Sequence, residues 1–197
     1  MGVSPGRVRA LISEGRIDAQ RNGKRWEITS LPKVRARRPL SQISREHLAS
    51  ALHTRSLSGL EGQARARTAK RLYTLRTSPD PASILLDWWG GEANEKDRFV
   101  RNLLERSQVG DAQGVRDTLR RRPPAFLATA ARLSDRIGTE RRIQGLSREQ
   151  LAGAAGVSVS VVRSLEGGVV MQTPGPARRV LNALGVVPSA LPPMSTP

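Results

Sequence analysis

The side chains of this 197-residue sequence best equipped for chemistry are guanidiniums: 33 residues are Lys or Arg, and all but Lys24, Lys33, Lys70 and Lys96 are Arg. A guanidinium keeps its charge at physiological pH, and its fork fits two phosphate oxygens or the O6 and N7 acceptors of guanine. The chemistry on offer is therefore recognition of anions and base edges. A GC-rich coding sequence also enriches Arg, so placement says more than number. Towards the C-terminus Arg148, Ser160, Arg163 and Ser164 carry donors and acceptors, and Val159 among them offers a methyl contact of the kind a thymine accepts. Near the N-terminus, Ser4, Arg7 and Arg9 precede a second group, Arg21, Lys24 and Arg25.

Bond-making chemistry finds few residues. The chain has no cysteine, hence no disulfide framework and no thiolate metal site. Its two histidines, His47 and His53, lie six positions apart, about 120° around a helix, so they do not share a face for a metal. Glu92, Glu95 and Asp97 follow the Gly90-Gly91 turn and read as the start of a helix, where the dipole favours negative charge. Neither a P-loop nor a GxGxxG fingerprint occurs. The expectation is a binding protein and not an enzyme, with no cofactor and no metal.

The elements that must position the C-terminal group lie between Ser147 and Gly168. Ser147 with Gln150 three residues on is a capping box, Leu151, Ala152 and Ala155 share a face, and Gly156-Val157-Ser158 breaks the helix before a second one carrying Val162 and Leu165. Gly156 can take the left-handed conformation, Ser158 can cap the next helix, and Ala152 is small enough for the two to cross closely. The Leu151-Ala152 pair, Gly156-Val157-Ser158, and the closing Leu165-Glu166 with Gly168 resemble the Xre/Cro-type repressor family over about residues 128–190. The resemblance implies a helix-turn-helix whose base-reading positions are Arg148, Val159, Ser160 and Ser164, and a structural pair between Arg141 and Glu166. The sequence departs from the family in having Arg148 where Gln is common, and in a second helix rich in valine.

The N-terminal group has its own scaffold. Ser4 reads as an N-cap with Pro5 at the first helical position, Val8, Leu11 and Ile12 follow at helical spacing, and Gly15 is the stop. Residues 17–21 and 24–28 then flank Asn22-Gly23, a strong hairpin signal. This stretch resembles an excisionase/MerR-like winged helix-turn-helix lacking its first helix. The resemblance implies that the helix enters a major groove and the hairpin forms the wing. Met1 falls where the end of the missing helix is expected, so the chain reads as starting inside that module. The plainer alternative is a set of solvated arginines around a core centred on Trp26.

Charge separates the parts. The formal net charge is +16 and the isoelectric point about 11.7, which favours polyanionic partners, double-stranded DNA above all. Residues 1–76 hold 17 Lys and Arg against 5 Asp and Glu, residues 77–125 hold 8 of each, and residues 126–197 hold 8 against 4. The expected organisation is a partial winged module at 1–30, a basic linker at 31–40, a helical middle domain at 41–122, a repressor-like domain at 123–190 and a disordered tail at 191–197, together with residues 188–190 before it. In the middle region helices are expected from Ser44 to Leu52, after Ser58 to Arg76, from Pro81 to Trp89, from Asn94 to Ser107 and after Asp111 to Arg121, with a further one from Pro124 to Ile143. Trp88 and Trp89, in the densest apolar cluster, read either as core or as a partner-binding or dimer surface. The fold class is mostly α, two helix-turn-helix modules joined by a helical middle. No run approaches the roughly 18 apolar residues of a membrane span, and a cytoplasmic, nucleoid-associated DNA-binding regulator is expected. Two rivals stay open: an antitoxin-like autorepressor whose middle domain binds a protein partner, and a sequence-tolerant architectural DNA binder. A homodimer fits any of these.

Overall fold

The computed structural model describes residues 4–13, 19–23, 25–29, 37–121, 123–169 and 172–193. It is mostly α, with ten helices and two small two-stranded sheets among the described residues, and it divides into two compact units, Met1–Ala36 and Arg37–Pro197.

In the first unit Pro5 opens helix α1 (Pro5–Ser13), where its fixed φ suits the first turn and its missing N–H leaves no helical bond unmade. Strands β1 (Ala19–Asn22) and β2 (Arg25–Ile28) pair antiparallel, with Arg21 opposite Trp26 and Asn22 opposite Arg25. The pairing therefore ends at Asn22 and Arg25, which sets the turn one residue later than the sequence suggested. Gly23, at φ 60°, supplies the left-handed first turn position that primed turns require. Trp26 is 47% exposed and Ile28 44%, so a core centred on Trp26 is not what this hairpin forms.

The second unit holds two apolar cores. The first is built by α2 (Gln42–Thr54), α3 (Gly62–Thr77), α4 (Pro81–Trp89), α5 (Arg98–Gln108) and α6 (Ala112–Arg120) around Leu48, Leu75, Leu85, Trp89, Leu103 and Leu104. Trp88 and Trp89 are both buried here, and the Trp89 indole N–H donates to Glu95 Oε2 at 3.0 Å. The tryptophan pair is core, which removes it as a partner surface. Residues 37–40 of the expected linker are tied to this core: Leu40 donates its amide to the Trp88 carbonyl at 2.9 Å, and Arg37 lies 3.7 Å from Asp87. Residues 31–36 and 194–197 lie outside the described residues.

Several helix starts differ from the sequence reading, each for a local reason. Ser41, not Ser44, caps α2, its hydroxyl accepting the Ser44 amide, so Ser44 is already inside the first turn. Ser58-Gly59 forms a turn, with Gly59 at φ 78°, and α3 begins only at Gly62. Asp97 caps α5 through the Val100 amide, while Glu95 is drawn to Trp89. The helix expected from Pro124 starts at Ala130 instead, capped by Thr129. The residues before it alternate in burial, Ala125 and Leu127 in and Phe126 out, which is a strand's period of two. They form β3 (Ala125–Phe126), parallel to β4 (Pro188–Ala190) in the stretch expected to be disordered.

The second core gathers α7 (Ala130–Ile143), α8 (Arg148–Ala155), α9 (Val159–Glu166) and α10 (Gly175–Ala183) around Ile137, Leu151, Val162, Leu165 and Leu181. Helix α7 belongs to both cores. Its Leu133 and Ile137 face the second, and its Ile143 packs into the first. Glu140 of the same helix, 3% exposed, receives Arg76 Nη1 from α3 at 2.7 Å, so a buried ion pair also crosses between the cores.

Candidate nucleic-acid interface

Local chemistry sets the α8–α9 pair. The Ser147 hydroxyl accepts the Gln150 amide at 3.1 Å, and the Gln150 side chain returns the bond to the Ser147 amide at 2.8 Å, so two of the orphan donors at the start of α8 are satisfied. Gly156 ends α8 at φ 62°, and two residues later Ser158 caps α9 through the Val161 amide. Leu151, Ala152 and Ala155 of α8 and Val162 and Leu165 of α9 are buried, which fixes both helices by their inner faces. Removing the box with Ser147→Ala should cost about 1 kcal/mol, read as a lower urea midpoint for the second unit. An unchanged midpoint would show that α8 does not depend on its cap.

What α9 leaves outside is short. Ser160 and Arg163 are exposed, Ser164, Val159 and Val161 are half-buried, and the two valines pack against the second core. Val159 thus has only part of its surface for a methyl contact. The Ser160 hydroxyl lies 2.7 Å from that of Ser158, which orients it at the first turn of the helix.

Behind this face sits Glu166. Arg141 Nε donates to its Oε1 at 2.6 Å and Arg141 Nη2 to its Oε2 at 3.3 Å, while Arg141 Nη1 reaches the Leu146 carbonyl at 2.8 Å. The structure thus brings Arg141 and Glu166 together and adds a partner that the sequence reading placed elsewhere. Arg148, read as a base-contacting residue, donates its Nε to Glu166 Oε2 at 2.6 Å. The Ser134 hydroxyl also donates to the Glu166 carbonyl, tying the end of α9 to α7. Burial alone would raise the Glu166 pKa, but the hydrogen bonds and charges of Arg141 and Arg148 outweigh it and hold the carboxyl below its ordinary range. A buried carboxylate with two guanidiniums is a brace, and it locks the end of α9 to the end of α7 and the start of α8.

This geometry, two short helices across a glycine turn with the outer face of the second left polar, is one that fits a major groove. Residues 137–191 match the helix-turn-helix family model. This segment is a DNA-binding helix-turn-helix domain. It runs from within α7 to just past β4 and so takes in most of the second core. No characterised protein and no solved structure matches the chain.

Outside that domain the sequence pointed to the first unit. Ser4, just before α1 with its carbonyl accepting the Val8 amide at 3.2 Å, and Arg9 on α1 are exposed, and Arg21 and Arg25 are exposed on the hairpin. The Arg7 side chain and Lys24 lie outside the described residues. No group of His, Cys, Asp and Glu able to hold a metal occurs among the described residues, and no helix there is long and apolar enough to cross a membrane. His53 is instead engaged by Asp97, Nδ1 to Oδ2 at 2.6 Å.

Proposed function

We propose that the protein is a sequence-specific DNA-binding transcriptional regulator that represses by occupying its site, without bond-making chemistry. The observation that carries this reading is the α9 face: Ser160 and Arg163 stand exposed on a helix whose inner face and far end are held by core packing and by the Glu166 brace. Rigid support is what direct readout requires, because a guanidinium gains discrimination only when it is held in line with a guanine edge. Arg163 is assigned the base contact and Ser160 a supporting one. Arg148 contributes its charge beside the groove, its Nε being committed to Glu166.

Affinity has a second source. Net charge of +16 supports a large phosphate term, and the basic first unit, with Arg9, Arg21 and Arg25 exposed, is assigned that role as a wing-bearing module. The division of labour is specificity from α9 and grip from the N-terminal arginines.

Selection of genomic fragments by the intact protein tests the reading. A shared motif lying over promoters should be enriched, and binding to it should weaken with salt at a log–log slope of about −0.9 per phosphate neutralised. Fragments retained regardless of sequence would establish a sequence-tolerant DNA binder instead.

A further inference from the structure

The two cores of the second unit leave a cleft between them. Its volume is about 60 Å³, and its walls come from α2, α3, Phe99 of α5 and the end of α6 on one side and from α7, Ala125 and residues 185–187 on the other. Four guanidiniums line it, those of Arg55, Arg76, Arg121 and Arg136, against a single carboxylate, Glu140. Three positive charges are left over.

The carboxylate is already taken. Arg76 Nη1 donates to Glu140 Oε2 at 2.7 Å, and Arg136 Nη1 to Oε1 at 3.4 Å. Arg55 and Arg121 have no ion-pair partner among the described residues. Arg55 is also the one non-glycine residue with positive φ among those described, at 55°, a conformation costing on the order of 1 kcal/mol. Its carbonyl accepts Arg136 Nη1 at 3.2 Å, so the strained end of α2 is fastened to α7 at the cleft. Burial, and then the neighbouring charges of Arg136 and Arg76, push the Arg55 guanidinium below its ordinary pKa. Like charges gathered in a partly desolvated recess repel, and an anion seated among them would relieve that repulsion.

Size narrows the class. A single water needs about 10–15 Å³, so the cleft holds several waters or one tetrahedral oxyanion. No residue of α8 or α9 lines it, so the site is separate from the face assigned to DNA.

We propose that this cleft binds a small phosphate-class oxyanion, inorganic phosphate or a phosphomonoester, gripped by Arg55 and Arg121 with Arg76 and Arg136 completing the cage. Guanidinium forks suit phosphate oxygens, and each oxygen has a donor to take. The bound anion would join the walls of both cores, and the whole second unit should resist unfolding as one body while it is in place.

The test uses the full chain with inorganic phosphate and, in a second arm, glycerol phosphate, each against chloride at matched ionic strength. Thermal denaturation and calorimetric titration are the readouts. Phosphate should raise the unfolding temperature where chloride does not. Arg55→Ala with Arg121→Ala, which leaves Glu140 its partners, should weaken phosphate binding by at least about tenfold, the worth of one lost charge-assisted hydrogen bond. Arg121→Glu, at the exposed end of α6, should abolish binding without touching the buried pair, so the result does not depend on one variant folding. Tighter binding of glycerol phosphate would assign a phosphomonoester and tighter binding of phosphate the free ion, and either upholds the site. Equal effects of phosphate and chloride, or unchanged affinity in both variants, would overturn it.

Discussion

Replacing Glu166 with Ala should destabilise the helix-turn-helix domain by about 3–5 kcal/mol, enough to leave a large fraction of it unfolded at moderate temperature. The Glu166 side chain is 5% exposed and that of Arg141 12%, so removing the carboxylate leaves a guanidinium charge in the interior with no counter-ion. Most of the cost lies there, because Arg148 is 41% exposed and returns to water freely. Arg148→Ala should therefore cost no more than about 1 kcal/mol, as an exposed pair does. Acid should reproduce the Glu166 effect in the native chain. The folded carboxyl has a pKa below its ordinary value of 4.5, so its contribution is complete above that value and is lost as pH falls through the lower, folded one. Urea midpoints measured from neutral pH into acid should fall for the native chain across that window. In Glu166→Gln that part of the slope should be missing. A Glu166→Ala midpoint equal to that of the native chain would mean that the brace contributes nothing.

The second large effect is expected at Glu140. This carboxylate, 4% exposed in its side chain, is all that separates the charges of Arg76 and Arg136, and both α3 and α7 are fastened through it. Glu140→Ala should cost about 3–5 kcal/mol, and it should act on the junction of the two cores more than on either alone. Hydrogen exchange would show this as faster exchange along α7 and α3 while α4 and α5 keep their protection. A triple replacement, Glu140→Leu with Arg76→Met and Arg136→Met, should recover much of the loss, since a well-packed apolar group avoids the desolvation that the ions endure. Uniform acceleration across the unit, or none, would contradict the placement of the pair.

Local chemistry made the helix-turn-helix readable. The Ser147–Gln150 box, the left-handed Gly156 and the Ser158 cap all act within four residues, so their spacing carries their geometry. The strand at Ala125–Phe126 was hidden for the opposite reason: its partner, Pro188–Ala190, is some 60 residues away, and a two-residue alternation is too short to outweigh the helical pattern that follows. Similarly, the choice of Ser41 over Ser44 rests on the Leu40–Trp88 backbone bond, which delivers the chain to the helix start from outside. Arg148 was expected as a base reader from the family resemblance alone, but the turn that brings α9 back places Glu166 beside it. The Glu140 pairs went unread: Arg136 is four residues away on the same helix, a spacing that suits an ion pair, but Arg76 lies 64 residues earlier and only the packing of α3 on α7 brings it there. The hairpin was visible from Asn22-Gly23, whereas its one-residue register shift depends on which residue occupies the first turn position.

In the proposed reading α9 contacts DNA through Ser160 and Arg163 while the rest of the second unit holds it in place. The most direct measurement compares the native chain with Ser160→Ala plus Arg163→Ala, both exposed positions outside the Glu166 brace, on the selected site and on unrelated DNA of equal length and salt. A loss of about tenfold or more is expected on the selected site, with little change on unrelated DNA and an unchanged unfolding midpoint. Equal affinity of both proteins for the selected site would contradict it and remove α9 as the reading helix.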